Sequence, residues 1–206
     1  MSPELLLHAP VTLTLLGINI VLSIMAFNSV RLIDSLMLHI GPVMNRGELH
    51  RTVTSGFIHA DPGHLLMNMI TLFFFGPILE IELGTQTFLL IYFASLLAGS
   101  GWAIMENFRN PNYRALGASG AISGVTVAYA MIHPFSMMLV FFIPMPAIIF
   151  AVVYILFSAF ASSGKLKDNI GHGAHLGGAL MGLVLICILY PLEIRELVDQ
   201  LLNLLP

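Results

Sequence analysis

Long apolar runs separated by short polar intervals pattern this chain from end to end. Crossing about 30 Å of hydrocarbon takes about 20 predominantly apolar residues. Runs of that kind predict membrane spans at about 10–30, 62–79, 87–105, 116–132, 137–160 and 170–190. The one long polar interval, Arg31 to Asp61, holds Arg46, Glu48, His50, Arg51 and His59. Its apolar patches, Leu36-Met37-Leu38, Val53 and Phe57-Ile58, predict a structured loop lying partly in the interface. From Ala115 to Gly164 there is no formal charge, a stretch too long for one helix. His133-Pro134-Phe135-Ser136 divides it, because proline excludes a continuing helix, and Pro144 and Pro146 predict a bend in the fifth span. The polar link Ser162 to Asn169 leads to the sixth span. The tail over 193–205 places Ile194, Leu197, Val198, Leu201 and Leu202 at helical spacing, the pattern of an interfacial amphipathic helix. No linker or internal repeat divides the chain, so residues 1–206 read as one all-α membrane domain, a six-transmembrane-helix bundle.

Composition agrees with the pattern. Hydrophobic residues make up 57% of the chain and charged residues 9%, with a mean hydropathy of +0.91. A net charge of -3, with no basic tract, carries no nucleic-acid signature. The lone cysteine, Cys187, has no intramolecular disulfide partner and reads as a small buried hydrophobe in the last span. No basic region and small-residue cleavage site precede the first apolar run, so it reads as a retained span.

Candidate chemistry starts at Gly117-Ala118-Ser119-Gly120. A serine among small residues just inside a span is either a packing surface or a nucleophile, since Gly120/Gly124 is a small-xxx-small pattern. Alternating span direction bears on the choice. The second, fourth and sixth spans all begin on one side, the loop side, which puts His64, Asn68, Ser119, His172 and His175 at similar shallow depth. Intramembrane ionisable residues are costly and point to function by default, the alternative being interhelical hydrogen bonding. A serine hydroxyl needs a base, and histidine suits that role near neutral pH. Ser119 falls in the first turn of its helix, where backbone N–H groups lack partners and could stabilise an oxyanion. His64 and Asn68 are four apart, share a helix face and could add donors. No Asp or Glu lies inside a span near His172 or His175, so a Ser–His dyad is expected rather than a triad. Gly178 and Gly182 give the His175 helix a close-packing face that could meet Gly120 and Gly124; His172 lies nearly a turn nearer the surface.

Gly117-Ala118-Ser119-Gly120, His64-x-x-x-Asn68 and Ala174-His175-x-x-Gly178 together resemble the three signatures of the rhomboid intramembrane serine proteases. The resemblance covers essentially the whole chain and implies the six-span core of the bacterial members. It implies Ser119 as nucleophile, His175 as general base, and Asn68 and His64 with the Ser119 N–H as oxyanion hole. His59 matches a further histidine upstream of the second helix, with a structural role, and Arg51 matches the arginine of the first-loop Trp-Arg motif. His50 stands where that motif has tryptophan, and Ser123 stands where many relatives carry a tyrosine stacked on the catalytic histidine. Without that ring, His175 is expected to be held less firmly. The implied substrate is a transmembrane segment of another protein, cleaved in the lipid bilayer without cofactor or metal. The proline-bearing fifth span is the expected mobile wall.

Charge opposes one implication. The resemblance implies a bacterial inner membrane with both termini cytoplasmic. Arg31, Arg46, Arg51, Arg109, Arg114, Lys165 and Lys167 nevertheless all fall on the loop side, against Arg195 on the other, and positive-inside counting would turn the loops to the cytoplasm. Two rival functions stand beside proteolysis: an inactive rhomboid-like protein that binds membrane clients, and a histidine-lined transporter or proton relay. Four shallow histidines, His59, His64, His172 and His175, raise a metal site as a weaker idea, without a His-Glu-x-x-His pattern.

Overall fold

The computed structural model describes residues 3–140, 142–165 and 170–203. A short α1 (Pro3–Leu7) precedes α2 (Pro10–Phe27). The first apolar run ends at Phe27, because Ser29 accepts the Leu32 N–H and starts a separate helix, α3 (Val30–Leu36). The interval that follows is structured: β1 (Leu38–His39), α4 (Ile40–Arg46), α5 (Arg51–Thr54) and a 3-10 turn, Ser55–Phe57.

Arg51 organises this loop from a buried position. Its guanidinium donates to the Asp34 and Met37 carbonyls at 2.5 and 3.0 Å and to the Glu48 carboxylate at 2.6 Å. Hydrogen bonding to Arg51 holds the Glu48 carboxyl below its ordinary range. His50, at the place of the motif's tryptophan, is exposed. β1 pairs antiparallel with β2 (Arg114–Ala115), and the Gly117 N–H donates to the Ser55 carbonyl at 2.9 Å. The loop is thereby tied to the segment that leads into Ser119.

Among the described residues, four helices are long and apolar enough to cross a bilayer: α2, α6 (Pro62–Leu83), α7 (Thr85–Asn107) and α10 (His172–Leu189). Two shorter apolar helices, α8 (Ser119–Ile132) and α9 (Ala147–Phe160), complete the apolar helical bundle. α8 is the innermost, with 10 of its 14 residues buried. Glycines set its packing against α10: a Cβ on Gly178 would overlap the Gly120 carbonyl, and one on Gly182 would overlap Gly124. On its other side α10 also lies close to α7, where a Cβ on Gly177 would lie 2.7 Å from the Ala98 carbonyl. α10 can occupy the slot between α7 and α8 only because these positions lack side chains.

Glu80, buried near the far end of α6, staples that helix to α2. Its carboxylate accepts from the Val11 and Thr12 N–H groups at 2.9 and 2.7 Å and from the Thr12 hydroxyl at 2.8 Å. Those N–H groups belong to the first turn of α2, which has no intrahelical partners for them and carries the positive end of the helix dipole.

The chain departs from expectation in its fifth span. Residues 137–146 form an antiparallel hairpin, β3 (Met137–Val140) with β4 (Ile143–Pro146), and α9 begins only after Pro146. Pro144 and Pro146 do not bend a helix; both fall in β4, before the helix starts. Cys187 is exposed on the outside of the bundle rather than buried. The tail forms α11 (Pro191–Leu202), which buries Leu197 and leaves Leu192, Val198 and Leu202 exposed. Lys167 and Asn169 of the polar link, and residues 204–205 of the tail, lie outside the described residues.

Candidate active site

Helix length sinks the nucleophile. At 1.5 Å per residue α8 is about 21 Å long, against about 33 Å for α6. Ser119 is the first residue of the shorter helix, so an α8 that reaches the same far-side level as α6 starts well below the loop-side surface. Ser119 and His175 are both half-buried, sunk in the bundle but not sealed.

Ser119 Oγ lies 2.8 Å from His175 Nε2. The hydrogen bond joins the first residue of α8 to the fourth of α10. It is permitted by the contact of Gly178 with Gly120 one turn further in. A hydroxyl in that position can pass its proton to the imidazole as it attacks an electrophile.

The approach to α8 is shaped by Gly117. Its φ of +123° lies in the region that only glycine adopts without strain, and a Cβ there would sit 2.5 Å from His64 Cε1. Gly117 therefore lets the chain turn into α8 while the His64 ring lies against it. Asp61 caps α6 by accepting the His64 N–H at 2.9 Å, which fixes the first turn that carries His64. Asn68, buried one turn further in, donates from its amide to the His64 carbonyl at 3.0 Å.

His59 supports the same turn from behind. Its Nδ1 lies 2.9 Å from the Ser23 hydroxyl, and its Nε2 accepts the Ala118 N–H at 3.4 Å. Burial, with a smaller contribution from the charge of His64, lowers the His59 pKa to about 4, so the ring is neutral and Nε2 is available to accept. Its role in this geometry is to hold residue 118, the neighbour of Ser119. Arg51 takes no direct part; it frames the loop at a distance from the dyad.

Two groups escaped the sequence reading. Tyr154 on α9 brings a ring to His175, with centroids 6.3 Å apart and planes 24° from parallel, and its hydroxyl lies 2.5 Å from Ser123 Oγ. A ring thus reaches His175 from another helix in place of one at position 123, which corrects the expectation that His175 is held less firmly. Spacing offered a signal: Phe150, Tyr154 and Phe157 recur along one face of α9. Glu106 is the second. It lies in the last turn of α7, accepts from Trp102 Nε1 at 2.8 Å, and its carboxylate fills the space that a Cβ on Gly173, in the first turn of α10, would need. A carboxylate therefore does stand beside the helix that carries both histidines. Among the described residues, no three His, Cys, Asp or Glu side chains converge in a metal-binding group.

The family pattern of the Rhomboid domain matches residues 46–192. This chain belongs to the rhomboid family. As a rhomboid it is 32% identical over 154 residues to RHOMBOID-like protein 12, mitochondrial, of Arabidopsis thaliana, covering 67% of this chain and 46% of that protein. It is 32% identical to Rhomboid protein 1, mitochondrial, of Saccharomyces cerevisiae, over 64% of this chain and 39% of that one. With Rhomboid-like protease 3 of Toxoplasma gondii it shares 32% identity over 76% of this chain and 57% of that protein. The rhomboid chain spans about half the length of these curated relatives.

Proposed function

We propose that this rhomboid is an intramembrane serine endopeptidase that cleaves transmembrane segments of other proteins through a Ser119–His175 dyad. The observation that carries the reading is the 2.8 Å hydrogen bond between the two side chains, which joins separate helices at the loop-side end of the bundle. Members of the family are typically intramembrane serine proteases.

In this reading Ser119 Oγ attacks the carbonyl carbon of the scissile peptide, and its proton passes to His175 Nε2. The negative charge on the carbonyl oxygen is met by the Ser119 N–H, unpartnered within the first turn of α8, with Asn68 and His64 as side-chain donors. The Asn68 amide carries a second N–H beside the one it gives to the His64 carbonyl, and that hydrogen is the donor in this reading. His175 then gives the proton to the leaving amine, the amine departs, and water releases the acyl group from Ser119 by the same route in reverse.

The bond to be cut must leave its own helix, since a helical carbonyl is already engaged. The partner is therefore a substrate segment that unwinds at the loop side. We assign the protein to a bacterial inner membrane with this face turned away from the cytoplasm, following the family core over the positive-charge count. Labelling of single cysteines in the Arg31–Asp61 loop by an impermeant reagent on intact cells tests the orientation; protection of every site reverses it.

The decisive measurement is cleavage of a single-span reporter in proteoliposomes by wild type, Ser119→Ala and His175→Ala. Cleavage is expected only from the wild type, with Asn68→Ala slower by roughly 100-fold. Equal cleavage by Ser119→Ala would overturn the reading, and proton flux that survives the same substitution would favour a relay.

A further inference from the structure

Three helices meet at Tyr154. The phenol ring, from α9, stacks on the His175 imidazole of α10 at 6.3 Å, within the range over which aromatic rings attract. Phe150, one turn earlier, stacks on Tyr154 at 5.4 Å and 19°. His172 meets His175 edge-on at 6.1 Å, and Phe157 of α9 meets His172 edge-on at 5.6 Å. One face of α9 thus lies along both histidines.

The hydroxyl of the same tyrosine reaches the other half of the dyad. Ser123 Oγ donates to the Ser119 carbonyl at 2.6 Å, which leaves its lone pairs to accept from the Tyr154 hydroxyl at 2.5 Å. The hydrogen bonds run from Tyr154 through Ser123 to the backbone of Ser119. One side chain therefore orients the base through its ring and registers the nucleophile's backbone through its hydroxyl.

The helix that carries this side chain is lightly held. α9 buries only Ala147, Ala151 and Ser158, and Ile149, Val152, Val153, Leu156, Phe157 and Phe160 are exposed. Few buried contacts make an element the cheapest to displace.

We propose that Tyr154 is the positioning residue of the dyad, and that its place on α9 makes the reactivity of Ser119 depend on how that helix is seated. The proposal rests on the serine-protease reading above. Its consequence is that a movement of α9 disturbs the alignment of Ser119 and His175 without touching either of them.

The test uses the full chain in proteoliposomes as wild type, Ser119→Ala, Tyr154→Leu, Tyr154→Phe and Ser123→Ala. Each is titrated with a fluorophosphonate, which gives the number of reactive sites and the labelling rate per site, and is assayed for kcat and KM on a single-span reporter. Tyr154→Leu is expected to keep its site count and KM while labelling rate and kcat fall by roughly 10- to 100-fold, the scale of a small misplacement of reacting groups. Tyr154→Phe, which keeps the ring, should recover most of that loss. It and Ser123→Ala should stay about threefold slow, through the lost hydrogen bond alone. A Tyr154→Leu protein that loses sites but reacts at the wild-type rate per site has a packing role only, and overturns the proposal. If Tyr154→Leu does not fold, wild-type rates in both Tyr154→Phe and Ser123→Ala overturn it. Absence of Ser119-dependent labelling in the wild type overturns the protease reading and this proposal with it; labelling indifferent to Tyr154 overturns the proposal alone.

Discussion

His59 is neutral because it is buried, and that has a measurable sign. The unfolded chain binds a proton at this ring near pH 6.5, whereas the folded chain does so only near pH 4. The contribution of His59 to stability is therefore present in full above pH 6.5 and is lost as pH falls through that window. Thermal unfolding in detergent is expected to show a smaller drop between pH 7 and pH 4.5 in His59→Gln than in wild type. Glycine gives a second contrast. Gly178→Val pushes a side chain into the Gly120 carbonyl and should separate α10 from α8, lowering stability by about 1–3 kcal/mol and abolishing fluorophosphonate labelling. Gly17→Ala on α2 has nothing within 4 Å of the new methyl and should leave both unchanged. At this scale the sequence was readable where chemistry is scarce. A serine in a stretch with no formal charge, and two histidines at the start of the last span, were conspicuous. Tyr154 was not: the face it shares with Phe150 and Phe157 reads as packing, and nothing in the spacing says which other helix that face meets.

Among the elements, the α2–α6 pair depends on one carboxylate. Glu80→Gln removes one acceptor oxygen and turns an amide N–H₂ toward a group that can only donate, either the Val11 or the Thr12 N–H. A loss of roughly 2 kcal/mol in unfolding free energy is expected, since buried donors left without acceptors cost that much. The Ser119 labelling rate per folded molecule should be unaltered, because Glu80 lies at the opposite end of α6 from His64. The hairpin at 137–146 marks where the element reading failed. Met, Leu, Val, Phe, Ile and Pro in one unbroken run carry no periodicity to separate a strand pair from a helix. The prolines held the missing signal: two of them two residues apart leave the N–H groups of Ile143 and Met145 for the β3 partner, as an edge strand needs.

For the molecule as a whole, span parity was the strongest inference available from sequence. It put the starts of α6, α8 and α10 on one face without any knowledge of contacts, and the dyad forms at that face. What parity could not supply was depth, because apolar composition does not distinguish a 14-residue helix from a hairpin and helix that together fill a span. That shortness is offset by the hairpin. α9 alone covers about 21 Å, and the exposed Met137, Leu139 and Ile143 carry its apolar surface on past Pro146. The wall that holds Tyr154 is therefore built from two kinds of secondary structure, with a joint at Pro146.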